Sequence, residues 1–433
     1  MECLGTRAPT RGAWLWLSLI NNTCIAFRLN DALEGLNIVG CLANITTTTS
    51  EMCYCESGGF RRSHSDRNSD VYLDSMQMIR KYNYPAENHV VVTDDGYRLN
   101  LFRIHKQGPP VLLVHGIGDS SDSWLVLGPR SSLAYRLADA GFDVWLFNSR
   151  GNRYSKNHTN IISEKEYWNF SFEEMGTKDL PATIDYILST TFESKLSYVG
   201  FSQGTTIFLV LCSMHPSYNE KFKHAFLLAP VATINSIKIP LIPLYSRIYE
   251  KLTLLANAGV NEVFPFTSTI SMYHAEVCDV KSPLKLLCEL EYYFNFGLGG
   301  LDKLSGSRQP VITSHLPAGA SAKTFLHFLQ GYVFRSFRRY DYGHAENVKV
   351  YNSSSPPVYD LSLVNAPVTL IISESDWVST LEDAKLLQEK LTNIRRTIVI
   401  NKRLDFSHLE FIYGARVNSF VNDPITNILQ NVT

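Results

Sequence analysis

The sequence predicts an α/β fold: a mostly parallel central sheet with helices on both faces, interrupted by an inserted, mainly helical cap. Two patterns point to it. From about residue 70, short continuously apolar runs bounded by turn residues alternate with stretches of helical periodicity, as happens when strands are buried on both faces by crossover helices. That alternation stops between about Ala232 and Leu361 and resumes afterwards, as an insertion into one core would make it do. The composition supplies the necessary core, with 45% hydrophobic against 19% charged residues in 433, which excludes a disordered chain.

Residues 1–69 read as a leader followed by a low-complexity segment. Arg7 and Arg11 precede the apolar run Ala13 to Ile20, the charged and apolar regions of a secretory signal. No clean small-x-small cleavage site follows, so a buried or disordered tail is the competing reading. Residues 41–69 are poor in aliphatics and carry TTTTS and RRSHSDRNSD, the composition of a linker. Cys53 and Cys55 lack further ligands apart from His64, too few for a zinc site. No metal is therefore expected anywhere in the chain.

The core begins with an amphipathic stretch, Val71 to Lys81. A hairpin follows, built from VVVT, the turn Asp94-Asp95-Gly96 and YRLNLFRI. VLLVHG (Val111 to Gly116) is a continuously apolar strand, SSLAYRLADAG a helix ended by Gly141, and DVWLFN (Asp143 to Asn148) the next strand. DLPATIDYILST is helical, LSYVG is a strand feeding the helical run TTIFLVLC, and KFKHAFLLAPV supplies another strand. Residues 70–231 thus form the first part of the core. Residues 232–361, rich in Tyr, Phe, Leu and Pro with helical fragments only, form the cap. Residues 362–433 complete the core with PVTLIISESD, the helix STLEDAKLLQEKLTN, the strand TIVI and a terminal helix.

Charge excludes one class of function. Forty Lys and Arg against 41 Asp and Glu leave a net charge of −1, so no global field recruits nucleic acid or an anionic surface. No apolar run reaches the roughly 18 residues of a membrane span. Sequons begin at Asn21, Asn44, Asn157, Asn169, Asn352 and Asn431, which suits a glycoprotein of the secretory route. Of the later cysteines, only Cys278 and Cys288 are spaced like a local loop-closing pair.

The chemistry centres on GFSQG (Gly200 to Gly204), placed directly after an apolar strand and before a helix. Such a turn strains its serine, and glycines on either side remove the Cβ atoms that would collide. Ser202 is then a nucleophile whose hydroxyl needs a base, and the base an orienting acid. In this architecture the chain order is serine, acid, histidine. Asp376 ends the strand PVTLIISESD at the edge where such sites form. Glu374, two residues earlier, shares its side of the strand and competes for the role, whereas Asp405 and Glu410 lie outside it. His408 is the only histidine after Asp376 and is the base. His115 ends its strand before Gly116-Ile117-Gly118, a loop that turns a backbone N–H toward the nucleophile. The oxyanion hole is expected from the N–H groups of Ile117 and Gln203, with His115 shaping the loop.

From about Asp70 to the C-terminus these residues resemble the acid lipases, which include gastric and lysosomal acid lipase and insect digestive relatives. HGIGDSSDSW, the NSRGN run, YVGFSQGTT, SHLPAGAS, SESDWVS and FSHLEFIYG carry the resemblance. It implies the α/β-hydrolase fold, Ser202, Asp376 and His408 as catalytic residues, and oxyanion donors on Ile117 and Gln203. It also implies a cap with a movable lid and a disulfide between Cys278 and Cys288, here one residue further apart than usual. The lid's apolar surface is expected from Met272, Tyr273, Leu284, Leu286, Leu287, Tyr292, Tyr293 and Phe294. Three positions depart from the family: Phe201 for a usual His, Ser373-Glu374-Ser375 for a common Gly-Gly pair, and Phe147 for a usual Gly.

The combined reading is a secreted or lysosomal serine lipase that cleaves esters of neutral lipids, triacylglycerols and steryl esters, through an acyl-enzyme. It needs no cofactor. Its partner is lipid at an oil–water interface, touched through the lid, with neither nucleic acid nor an obligate protein partner. The rival readings are an esterase of small soluble esters and a catalytically silent lipid-binding homologue.

Overall fold

The computed structural model describes residues 13–19, 23–29, 68–297 and 303–432. The chain divides into two units, Met1–His64 and Ser65–Thr433. In the first, Ala13–Leu19 pairs antiparallel with Thr23–Leu29, so the run read as a signal's apolar core is a strand over those residues. Cys53, Cys55 and His64, the sequons at Asn21 and Asn44, and most of the linker lie outside the described residues.

The second unit is built on eight strands: β1 (Ala86–Val92), β2 (Tyr97–Ile104), β3 (Pro110–Val114), β4 (Asp143–Leu146), β5 (Leu196–Phe201), β6 (Phe222–Leu228), β7 (Val368–Ser373) and β8 (Ile394–Ile400). Their order is β1-β2-β4-β3-β5-β6-β7-β8, with the two-residue strand Asn157–His158 also paired to β2. The first hairpin is antiparallel and joins β4 antiparallel, and every pairing from β4 to β8 is parallel. Its turn is the expected one: Gly96 sits at φ +93° and Thr93 and Tyr97 close the loop by a 2.9 Å hydrogen bond.

Periodicity explains the layering. Alternate side chains of each central strand enter two different cores. Val111 and Leu113 of β3, Val199 and Phe201 of β5 and Ile371 of β7 pack on one face. Leu112, Val114, Leu196, Tyr198, Leu370 and Ile372 pack on the other. The first face is covered by Leu133, Ala134 and Leu137 of α2 (Leu133–Asp139) and by Ile425 and Leu429 of α14 (Asp423–Val432). The second is covered by α3 (Leu180–Thr191), α4 (Gln203–Met214) and α12 (Leu381–Lys390). Each fully buried aliphatic side chain contributes roughly 1.5–3 kcal/mol. The amphipathic stretch at the start of the core splits into a 3-10 turn, Ser69–Tyr72, and α1 (Ser75–Lys81), where Asp74 and Gln77 form a capping box.

Between β6 and β7 the chain forms α5 (Ile242–Arg247), α6 (Tyr249–Asn257), α7 (Ser268–Val277), α8 (Lys285–Phe296), α9 (Gln309–Ser314), α10 (Ala322–Phe334) and α11 (His344–Tyr351). A small antiparallel pair, Glu262–Val263 with Ala320–Ser321, is set among them. Part of this segment is tied directly to the core. Val311 and Ile312 of α9 join the first core, and Arg308 just before it pairs with Asp70 and donates to the Tyr82 hydroxyl at 2.8 Å.

The NSRGN run supplies the main buried ion cluster. The Arg150 guanidinium, 1% exposed, bonds Asp179 at 2.8 Å and Asp95 at 2.8 and 3.0 Å, and lies 3.9 Å from the centre of the Tyr97 ring. It thereby fastens the β1–β2 turn to the start of α3. Removing one partner of such a cluster strands a buried charge, at a cost of roughly 3–5 kcal/mol. Arg150→Met is therefore expected to lower unfolding stability by about that amount in urea titration, whereas a change below about 1 kcal/mol would show that the cluster is not holding the turn.

Candidate active site

A sharp turn forms where β5 runs into α4. Ser202 stands between them at φ +50° and ψ −115°, a backbone region that costs about 1–3 kcal/mol for a residue with a side chain. Its N–H donates to the Leu228 carbonyl of β6 at 3.0 Å, which holds it there. A Cβ on Gly200 would stand 2.7 Å from the Tyr198 ring and 2.8 Å from the Gly204 carbonyl. A Cβ on Gly204 would stand 2.4 Å from the Val114 carbonyl oxygen. Both glycines are thus required by the close approach of α4 to β5 and β3.

The structure brings Ser202, His408 and Asp376 together. The Ser202 hydroxyl is 3.0 Å from Nε2 of His408, and Nδ1 of His408 is 2.8 Å from Oδ2 of Asp376. Oδ1 of Asp376 accepts from the N–H groups of Val378 at 2.8 Å and Ser379 at 3.0 Å. All three side chains are buried. Because Nδ1–H donates to the carboxylate, Nε2 is left as the acceptor facing the hydroxyl. Glu374 does not join them: its Oε2 accepts from the Lys402 N–H at 2.7 Å. Asp405 is paired with Lys303.

Glu410 has a use that chain order did not suggest. It is fully buried, accepts from the Ser407 N–H at 2.7 Å and from its hydroxyl at 3.2 Å, and pairs with Arg416 at 3.0 Å. It holds the turn that presents His408. The signal was available, since Ser407-x-x-Glu410 is a capping-box pattern. Ser373 acts on the same loop, donating to the Phe406 carbonyl at 2.6 Å.

Ile117 lines the cavity beside Ser202, and Gln203 is the first residue of α4. Neither backbone N–H has a hydrogen-bond partner among the described residues. The first N–H groups of a helix have no intrahelical acceptor and favour negative charge. His115 sits behind this loop. Its Nε2 accepts from the Ser149 N–H at 3.2 Å, so its Nδ1–H donates to the Gly116 carbonyl at 2.8 Å. Burial pushes its pKa down to about 4, against the Gly116 bond that raises it. The ring stays neutral and braces the loop.

These groups open on one cavity of about 230 Å³ that also reaches Ile234, Ile239, Phe264 and Phe325 of the cap segment. Phe201 lines it too, with its ring centre 5.0 Å from that of His408. Cys278 and Cys288 form a disulfide joining the end of α7 to α8. The expected lid surface divides. Leu284, Leu286, Tyr293 and Phe294 are exposed, Met272, Tyr273 and Leu287 are half-buried, and Tyr292 is turned into the cavity at 5% exposure. Asn157, Asn169 and Asn352 are exposed. Among the described residues no group of three or more His, Cys, Asp or Glu side chains is placed to hold a metal, and no helix is long and apolar enough to cross a membrane.

A serine on a strained strand-to-helix turn, with this sheet order, defines the α/β-hydrolase class. Residues 109–411 match the family described as "alpha/beta hydrolase fold", and residues 75–128 the one described as "Partial alpha/beta-hydrolase lipase region". The chain belongs to this family and within it to the lipases. Lipase 1 of Drosophila melanogaster is 36% identical over 374 residues, covering 86% of this chain and 82% of its own. Gastric triacylglycerol lipase of Bos taurus is 34% identical over 383 residues, 84% of this chain and 92% of its own. The human gastric triacylglycerol lipase is 35% identical over 378 residues, 83% and 92% respectively. The protein is a carboxylic ester hydrolase of lipase type.

Asp119, next to the loop that carries Ile117, gives the site a pH signature. Burial pushes its carboxyl up to about 7, against hydrogen bonds from Tyr413 and Ser120 that lower it. An unfolded aspartate ionises near pH 4, so between about 4 and about 7 the folded chain binds more protons than the unfolded one. Stability contributed by the protonated carboxyl is therefore lost as pH rises through that window. The Tm of the unsubstituted protein is expected to fall relative to that of Asp119→Asn from about pH 4 to about pH 7. Thermal scans at several pH values check this, and curves running parallel throughout would contradict it.

Proposed function

We propose that the protein is a serine lipase that hydrolyses carboxylic esters of neutral lipids, triacylglycerols and steryl esters among them, through an acyl-enzyme. The observation that carries this reading is the unbroken hydrogen-bond chain from Asp376 through His408 to Ser202, opening on an apolar cavity. Ser202 Oγ attacks the ester carbonyl while Nε2 of His408 takes its proton. The N–H groups of Ile117 and Gln203 hold the oxyanion, and each such donor is worth on the order of 10²-fold in turnover. Collapse of the tetrahedral intermediate expels the alcohol, which takes the proton from Nε2. A water then attacks the acyl-enzyme, giving its proton to His408, and the fatty acid leaves as Ser202 recovers its proton. Asp376 stays ionised and stabilises the imidazolium formed twice in the cycle.

The cap segment serves as a movable lid in this reading. The exposed Leu284, Leu286, Tyr293 and Phe294 supply apolar surface for a lipid droplet. Exposure of Asn157, Asn169 and Asn352 suits glycans and passage through the secretory route to a secreted or lysosomal destination.

Hydrolysis of emulsified long-chain triacylglycerol, cholesteryl oleate and a soluble short-chain ester, with Ser202→Ala beside the unsubstituted protein, tests the proposal. Long-chain hydrolysis that falls by at least about 10³-fold in Ser202→Ala is expected. Turnover of the soluble ester alone would replace the lipase reading with a small-ester esterase. No turnover of any ester, and no phosphonate adduct on Ser202, would leave a silent lipid-binding protein.

A further inference from the structure

One wall of the reaction cavity is polar. It consists of Asp119, Tyr413, Tyr292, His274, Glu291 and Asn295, whereas the rest of the lining is largely apolar and includes no lysine or arginine. This wall adjoins the reacting atoms. Asp119 lies two residues beyond Ile117, and Tyr413 lies five residues beyond His408, in α13 (Glu410–Tyr413). The Tyr413 hydroxyl donates to Oδ2 of Asp119 at 2.6 Å, closing that pair.

The remaining groups are not closed. Tyr292 is 5% exposed and lines the cavity, yet its hydroxyl has no hydrogen-bond partner among the described residues. Burial, with Glu291 and Asp119 nearby, pushes its phenol well up, so it remains a donor. His274 donates Nδ1–H to the Leu316 carbonyl at 3.0 Å. Its Nε2 faces Oε2 of Glu291 at 3.7 Å, too far for a hydrogen bond. The Glu291 side chain is 48% exposed, so its carboxylate is an acceptor on the solvent side of the cavity, open to a hydroxyl donor. Asn295 spends an N–H on the Glu291 carbonyl at 2.9 Å and keeps its own carbonyl oxygen. One free donor beside several free acceptors is the complement of hydroxyl groups, each of which both accepts and donates.

We propose that this wall binds free hydroxyl groups on the alcohol part of the ester, so that the preferred substrate is a partially acylated polyol of the mono- or diacylglycerol kind. The inference deepens the lipase reading above and rests on it. The alcohol side is assigned because the wall begins beside the loop that faces the ester carbonyl, where a hydroxyl two or three atoms from the ester oxygen falls. A fully acylated glycerol or a steryl ester offers no donor there, so it leaves the acceptors of Glu291 and Asn295 without a partner from the substrate. Sites built to hydrogen-bond a hydroxyl discriminate strongly against analogues lacking it.

Two ligands that cannot be hydrolysed separate binding from catalysis. In the Ser202→Ala protein, 1-O-octylglycerol is expected to bind at least about tenfold more tightly than octyl propyl ether, both titrated below micelle-forming concentrations. Tyr292→Phe and Glu291→Ala, each in that background, are expected to lower this ratio at least about threefold. Tyr292→Phe keeps the ring and its packing, so a general packing defect weakens both ligands and leaves the ratio unchanged. With Ser202 intact, monooctanoylglycerol is expected to exceed propyl octanoate in kcat/KM in the same sense, and ethyl 8-hydroxyoctanoate to gain nothing over ethyl octanoate. A binding ratio near one, a ratio untouched by Tyr292→Phe, or a preference for the acyl-chain hydroxyl would overturn the proposal. Absence of all turnover with the binding preference intact would overturn the serine-lipase reading instead and leave the polar wall as a hydroxyl-binding site.

Discussion

The close approach of α4 to the central sheet is the constraint on which the site depends. Gly204 allows the first turn of α4 to touch the Val114 carbonyl of β3, and Gly200 allows β5 to end beneath it. That contact forces Ser202 to φ +50° and aims its hydroxyl away from the sheet. It also brings the N–H of Gln203, at the start of α4, to the side where Ile117 leaves β3. A looser contact would relax the serine and separate its hydroxyl from the N–H groups of Ile117 and Gln203. The strain of about 1–3 kcal/mol is carried by the two hydrophobic cores that clamp β3 and β5 from both faces.

A second layer of buried polar groups keeps the surrounding loops from relaxing. His115 links the loop after β3 to Ser149, and the adjacent Arg150 links the same run to Asp179 and Asp95. One short segment therefore braces the loop that carries Ile117 and anchors the entry to α3. On the opposite side, Glu410 and Ser373 hold the turn carrying His408. The triad distances of 3.0 and 2.8 Å are maintained from two directions by groups that never touch them.

Much of this was legible because it follows from local rules. Strands such as Val111 to Val114 are continuously apolar since both their faces are covered. Ser202 is marked by its flanking glycines, and His408 by being the last histidine in chain order. Other features resist such reading. The strand expected to run to Asp376 ends at Ser373, so Glu374 and Asp376 both lie in the turn beyond β7, where strand alternation no longer holds and Glu374 is sent to the Lys402 N–H. Tyr292 and Tyr293 are identical as sequence, yet a helix turns successive residues by about 100°, so one enters the cavity while the next is exposed. In a helix apolar on more than one side, periodicity does not say which face is inward.

The three departures from the acid-lipase pattern become intelligible once their neighbours are known. Phe201 places an aromatic ring 5.0 Å from the His408 ring, and Phe147 stacks on His115 at 6.0 Å. Each covers a buried imidazole whose position the chemistry requires. In the Ser373-Glu374-Ser375 loop, Ser373 bonds the Phe406 carbonyl, while Glu374 and Ser375 bond the backbone of Lys402. A glycine pair would leave that loop free to adopt several shapes. Here the side chains tie it to the segment leading into His408, so Asp376 and His408 are held by one connected set of hydrogen bonds. Side-chain bracing thus fixes the shape of this loop and, with it, the 2.8 Å contact between Asp376 and His408.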